Sequence, residues 1–206
     1  MRKLGAVRAP RDVQPAHTWR VDLTLPEDEL IAAMRATTRN LHRTAVKKGL
    51  SFRKSDDPKE IKILLGFIHE MAQRNSIRPH SDRYLRLQAK TLISRGAAHL
   101  FFAEYMGRPI AAAMVYDSHD TRFYAHAGAA AEHRKLHAGT PLVSHMVLDA
   151  KKNGLSTFDF YGIAPPGSAN HPWSGFTDFK KSFGGYRHNY AGTWDVPLKR
   201  VQYRLY

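Results

Sequence analysis

The chain has 206 residues and carries 32 Lys and Arg against 18 Asp and Glu, a formal charge of +14. Apolar residues make up 43% and aromatic residues 11%, enough for one sizeable core, which excludes a disordered chain, and the cationic excess points to an anionic partner: nucleic acid, a phosphorylated metabolite or a membrane surface. The absence of cysteine excludes disulfides, thiolate zinc sites and a cysteine nucleophile.

Residues 1–25 read as an extended, basic lead-in, with a short strand at Val21–Leu23, and residues 26–206 as a single domain. Thr24-Leu-Pro-Glu27 has the form of a capping box and predicts a helix running to Lys48. Leu30, Met34, Leu41 and Ala45 fall on its apolar side, and Gly49 is its stop. On the opposite face Arg35, Arg39, Arg43 and Lys47 recur every four residues, with no acid between Glu29 and Lys54. Like charges at that spacing weaken an isolated helix. The row fits either a surface that faces phosphates or a plain solvated face.

Asp57-Pro-Lys-Glu60 starts a second helix with Ile61, Leu64, Leu65, Ile68 and Met71 as its core stripe. A loop with Arg78 and His80 leads to a third helix over Ser81–Ser94. The period then changes from helical to alternating. Ala98–Tyr105, Pro109–Tyr116 and Arg122–His126 read as an antiparallel meander. Gly128 to Gly139 is a loop, Thr140 to Lys152 a helix, Thr157–Phe160 a strand, and Gly162 to Trp173 a Pro/Gly loop. A last strand covers Arg187–Trp194. This order predicts an α+β fold with a mixed, mostly antiparallel sheet flanked by helices.

Two stretches carry chemistry. His133 and His137 are four apart, but no third ligand or HExxH spacing accompanies them, so no metal is expected. The segment Gly175-Phe-Thr-Asp-Phe-Lys-Lys-Ser-Phe-Gly-Gly185 places Phe176, Phe179 and Phe183 on one helical face, behind an N-cap at Ser174 and before a glycine stop. It reads either as a plain amphipathic helix with solvated Lys180 and Lys181 or as a helix that brings a lysine to a substrate. Asp159 and Asp178 are available carboxylates without an assigned role.

The strand, loop and helix around Arg134-Lys-Leu-His-Ala-Gly139 resemble the acyl-CoA site of the GNAT acetyltransferases, whose glycine-rich turn gives its amides to a pyrophosphate at a helix N-terminus. His137 stands where that pattern has glycine. Over nearly the whole chain a second resemblance runs: Leu4-Gly5, Val13-Gln-Pro15, Trp19 to Leu23, Arg39 to Gly49, Tyr124 to Ala129, Ala150 to Gly162 with Phe158-Asp-Phe160, Gly175 to Gly185, Gly192-Thr-Trp-Asp195, Tyr203 and Tyr206. These segments resemble the FemAB family, the tRNA-dependent aminoacyltransferases that build peptidoglycan interpeptide bridges.

The FemAB resemblance implies a GNAT-like fold and transfer of an amino acid from aminoacyl-tRNA to the stem-peptide amine of a nucleotide- or lipid-linked muramyl precursor. No apolar run is long enough to span a bilayer and Met1–Gly5 lacks a signal-peptide core, which reads as a cytoplasmic chain; the resemblance adds no cofactor and, for a lipid-linked precursor, peripheral contact with the membrane. It assigns the stabilisation of the ester-carbonyl charge to Lys180, with Phe179 positioning it. Arg78, Tyr84 and Tyr124 correspond to precursor contacts, and Arg35, Arg39, Arg43 and Lys47 would hold tRNA phosphates. Members are usually built of two such subdomains, and this chain corresponds to the second, its lead-in being a remnant of the first. The same residues also admit an acyl-CoA-dependent GNAT transferase, and a basic RNA-binding module that has lost its cleft and its activity.

Overall fold

A computed structural model describes residues 5–168 and 170–203; Leu4 and Tyr206, two positions of the resemblance, lie outside the described residues. Helices and strands alternate in the order β1 (Val7–Arg8), β2 (His17–Asp22), α1 (Glu27–Ala33), α2 (Ala36–Thr44), β3 (Leu50–Ser55), α3 (Ile61–Asn75), α4 (Asp82–Ile93), β4 (Ala98–Tyr105), β5 (Arg108–Ser118), β6 (Thr121–Ala129), α5 (Gly139–Lys152), β7 (Thr157–Gly162), α6 (Ser174–Lys181), β8 (Tyr186–Asn189), β9 (Trp194–Asp195) and α7 (Arg200–Tyr203). Seven strands form one sheet in the order β3-β4-β5-β6-β7-β2-β8, and β1 pairs with β9 apart from it.

Alternation along β4 explains the two layers. Phe101 and Ala103 point to one face, where they meet Leu142, Met146, Phe158, Phe160 and Phe183. Leu100 and Phe102 point to the other, against Leu64, Leu65 and Ile68 of α3 and Leu85 and Ala89 of α4. Each of the larger ones, Leu, Ile, Met or Phe, contributes about 1.5–3 kcal/mol. A buried ion network closes one end of the meander. Arg122, 0% exposed, gives Nε and Nη2 to Asp117 at 2.8 and 2.7 Å and Nη1 to Asp149 at 2.5 Å, tying the β5–β6 hairpin to α5.

The meander matches the alternation in the sequence, and Ala98–Tyr105 matches to the residue. Elsewhere tertiary contacts move the boundaries. The helix expected through Lys48 breaks at Met34 and Arg35, whose backbones are extended, because the Arg35 amide donates to the carbonyl of Ser182 at 2.8 Å. The capping box at Thr24 does not form: Thr24 instead turns onto the Asp22 carboxylate, and no side chain caps α1. Gly49 does end the segment, in the left-handed conformation. The strand expected at Val21–Leu23 is β2, which begins earlier, at His17, and lies inside the sheet between β7 and β8.

One pairing positions the site. All neighbouring strands of the large sheet run antiparallel except β6 and β7, whose parallel ladder covers only Thr121–Phe123 against Thr157–Asp159. Past those three pairs the strands separate, and α6 faces the opening.

Candidate active site

Helix α6 is held over that opening by its flanks. Trp173, not Ser174, is its N-cap residue and supplies no side-chain cap. Thr177 is buried; its Oγ1 accepts from the Ala164 amide at 2.9 Å and donates to the Trp173 carbonyl at 2.8 Å. Phe183 packs on Phe160 with ring centres 5.2 Å apart, and Phe179 meets Phe183 edge-on at 5.1 Å. Phe176 departs from the expected shared face: it is 56% exposed and forms part of the rim of the cavities below. Within the first turn of α6 it is Thr177 that turns inward, which leaves Phe176 beside it on the open side.

Lys180 is directed inward. Its Nζ donates to the Gly162 carbonyl at 2.5 Å, at the point where β7 ends. Burial pushes its pKa down to about 8, against an opposing attraction from Asp159. The ammonium is therefore weakly solvated and has one hydrogen-bond acceptor among the described residues, leaving donors for an oxygen of a substrate. Gly162 has no room for a side chain: a Cβ there would lie 2.6 Å from Pro15 Cγ and 3.0 Å from Trp173. The preceding Tyr161 takes φ of 61°, a strained value for a non-glycine residue. Its amide donates to Asp159 at 2.7 Å, and its ring borders three adjoining cavities.

Asp159 is the electrostatic anchor beneath. Its side chain is 1% exposed and accepts from Arg20 Nε at 2.9 Å, from the Thr18 hydroxyl at 3.3 Å and from the Tyr190 hydroxyl at 3.3 Å. With four donors among the described residues, one of them the half-buried Arg20 guanidinium, it is a structural carboxylate.

Two cavities meet at Lys180. The larger, about 610 Å³, lies in the opening between β6, the start of α5 and α6. Tyr124, Leu142, Phe176, Phe179 and small residues from Ala111 to Gly139 line it, and Lys180 is its one charged group among the described residues. The second, about 440 Å³, is bordered by Gln14, His80, Tyr84, Gln88, Tyr116, His126 and Trp173. Its polar groups form a chain: Gln88 donates to the Tyr84 hydroxyl at 2.9 Å and accepts from the Tyr116 hydroxyl at 2.9 Å. Burial, reinforced by the charge of His80, lowers His126 to about 4, so its imidazole is neutral at physiological pH.

The predicted residues divide accordingly. Phe179, Lys180 and Tyr124 share the larger cavity, and Tyr84 joins Lys180 in the second. Burial raises the pKa of Tyr124, whose ring packs on Phe160 at 5.9 Å. Arg78 is exposed and borders neither cavity. The row Arg35, Arg39, Arg43 and Lys47 is not continuous: Arg35 precedes α2, and Arg39 Nη1 donates to the carbonyls of Ala32 at 2.8 Å and Met34 at 3.1 Å, at the end of α1. Tyr161, His126 and Gln88 belong to the site without having been read from the sequence. The positive φ of Tyr161 has no sequence signal, and the other two acquire meaning only from the packing of α4 on the meander.

The loop resembling an acyl-CoA site lines a separate cavity of about 350 Å³ with His133, Arg134, His137, Ala138 and Gly139, at the start of α5. The amides of Arg134, Leu136, His137 and Thr140 already donate to carbonyls within the loop. His137 holds φ of 49° with a side chain where the pattern has glycine. Among the described residues no group of three or more His, Asp or Glu is placed to hold a metal ion.

A half-buried ammonium at the junction of an apolar cavity and a polar one can stabilise an oxyanion while an acyl group and its acceptor meet. Comparison with known proteins agrees with acyl transfer. Residues 32–181 match the family model described as acetyltransferase (GNAT) domain. No characterised protein matches the chain by sequence. Among solved structures, that of FemX superposes with a TM-score of 0.87 at 15% identity, over 99% of this chain and 69% of that one. The C-terminal domain of a putative lysylphosphatidylglycerol synthetase from Agrobacterium fabrum gives 0.59 at 12% identity, over 94% and 61%. The L-PGS structure from Bacillus licheniformis gives 0.58 at 13% identity, over 99% and 66%. The chain shares its fold with FemX and belongs to the GNAT acetyltransferase-domain family, as an acyltransferase.

Proposed function

We propose that the acyl group is an aminoacyl group taken from the ester of a charged tRNA, and that the acceptor is the stem-peptide amine of a nucleotide- or lipid-linked muramyl precursor. The observation that carries this reading is Lys180: an ammonium with free donors, depressed by burial, at the junction of the two cavities. The larger cavity takes the aminoacyl end and the second the acceptor, with Tyr84 and His126 on its wall. The free amine attacks the ester carbonyl, and the resulting oxyanion is held by Lys180 Nζ. The tetrahedral intermediate then collapses, the C–O bond to the ribose breaks with protonation of the departing oxygen, and an amide remains. The attacking nitrogen loses its proton to solvent or substrate. Positioning of both partners supplies much of the rate.

Among the described residues the wall of the larger cavity carries no carboxylate. An uncharged aminoacyl side chain is therefore favoured over a cationic one, which would be buried unpaired beside Lys180. In this reading the chain acts as the second of two subdomains, at the cytoplasmic face of the membrane when the acceptor is lipid-linked. Incubation with labelled aminoacyl-tRNA and a muramyl-pentapeptide precursor should give a labelled adduct, lost in Lys180→Ala. No adduct with any charged tRNA, together with saturable heat on titration with acetyl-CoA, would replace it by the acyl-CoA reading that the family match favours.

A further inference from the structure

The far side of α6 holds a second basic hollow. It has a volume of about 360 Å³ and lies between the loop after β7, α6 and the edge strand β8, with Ser168, Ser174, Asp178, Lys181 and Arg187 on its wall. Lys180 and Lys181 are consecutive, so the helix directs one toward the reacting cavities and the other into this hollow. We infer that it is a phosphodiester subsite for the RNA strand whose terminal ester reaches Lys180; the inference rests on the aminoacyl-tRNA reading above.

Three observations carry it. Arg187 Nε is buried, and its N–H has no acceptor among the described residues. That atom is out of a ligand's reach, but the other guanidinium nitrogens of Arg187 form no hydrogen bond or ion pair among the described residues, so the side chain keeps donors for a phosphate oxygen arriving in the hollow it lines. Lys181 forms no ion pair among the described residues either; its Nζ stands 5.8 Å from the Trp19 ring, free to reach an anion. The charges on the wall also fit one kind of phosphate. Two cations face one carboxylate, Asp178, a net balance of a single positive charge. That matches the single negative charge of a diester and not the double charge of a terminal phosphate. Asp178 accepts hydrogen bonds only, and a ribose 2′-hydroxyl beside the phosphate is a donor of the right kind, which selects RNA over DNA.

The test is equilibrium binding of fluorescent, uncharged tRNA to the full chain over a range of salt, for wild type, Lys181→Ala and Arg187→Gln. Each variant should weaken binding about tenfold and reduce the salt slope by about 1. With charged tRNA, Lys181→Ala should raise KM about tenfold and leave kcat within about twofold, because Lys181 holds the strand and does not touch the reacting carbonyl. Arg187→Gln is read only if its circular dichroism matches wild type; Lys181 ends a helix, and its variant keeps the test decisive. Wild-type affinity and slope in Lys181→Ala would overturn the subsite, as would competition by inorganic phosphate at the concentration at which a CCA trinucleotide competes. Failure of wild type to transfer from any charged tRNA would instead overturn the aminoacyl reading.

Discussion

Helices α2 and α6 are both short and both carry cations in their last turn, yet the structure uses them in opposite ways. The cations of α2 and its flanks are regularly spaced, but Arg35 falls in the break before the helix, Arg39 binds the end of α1, and Arg43 and Lys47 face solvent. In α6 the spacing is trivial, two adjacent lysines, and the surroundings differ: Lys180 is desolvated beside a buried carboxylate and between two cavities. Charge that repeats along a helix is cheap to solvate and need not bind anything. A single charge held away from water among converging groups has a specific use.

The largest effect that would break this contrast is at Lys180. Lys180→Met should lower transfer by about 10²–10³-fold, the loss seen when one oxyanion donor is removed, with little change in substrate KM. Wild-type transfer should also decline as pH rises through about 8, where the ammonium loses its proton. A rate that stays flat to pH 9.5 would remove Lys180 from the chemistry. The same depressed pKa means that the folded chain binds fewer protons than the unfolded one from about pH 8 up to the ordinary lysine range, so this group adds stability as pH rises through that window.

Next comes the carboxylate below it. Asp159→Ala removes the buried acceptor of Arg20, Thr18, Tyr190 and the Tyr161 amide, leaves a half-buried Arg20 without its counter-charge and should cost about 2–4 kcal/mol in urea denaturation. It also removes the attraction that keeps the Lys180 pKa from falling further, so any activity left should decline at a lower pH than in wild type. Arg39→Ala removes two hydrogen bonds to the end of α1 and should cost about 1–2 kcal/mol with kcat unchanged. Smallest are Arg43→Ala and Lys47→Ala. Each should leave stability within about 0.5 kcal/mol and, if this face holds tRNA phosphates as the resemblance implies, weaken binding uniformly across tRNA sequences. A loss at Arg43 as large as that at Lys180 would erase the distinction between the two helices.

Local patterns carried the fold a long way. Alternating residues identified the meander, and the periodic runs Ile61–Ile68 and Leu142–Ala150 identified two helices that cover it. Glycine and proline signals located most ends. The break at Met34–Arg35 had no such signal, since it is made by a carbonyl from residue 182. The strand at His17–Asp22 was only half legible because a two-sided partner so far away in sequence leaves no local mark. The candidate site follows the same rule. Lys180 and Phe179 could be named from a motif, while Tyr161, His126 and the hollow at Arg187 depend on a backbone outlier and on side chains that meet only after the sheet has formed.

The position of β2 has a further consequence, for the order of assembly. Residues 17–22 are inserted between strands from residues 157–162 and 186–189, so their ladders close loops that span most of the chain. The 98–129 meander closes only short turns. Loop-closure entropy therefore favours the meander with α3 and α4 as the early nucleus, and the half of the sheet that bears the active site joins last. Native-state hydrogen exchange should show the amides of β2 and β8 opening in a unit smaller than the whole molecule, before those of β4 and β5. The half that bears the candidate site would then be able to loosen around a bulky acyl donor while the other half of the sheet holds its shape.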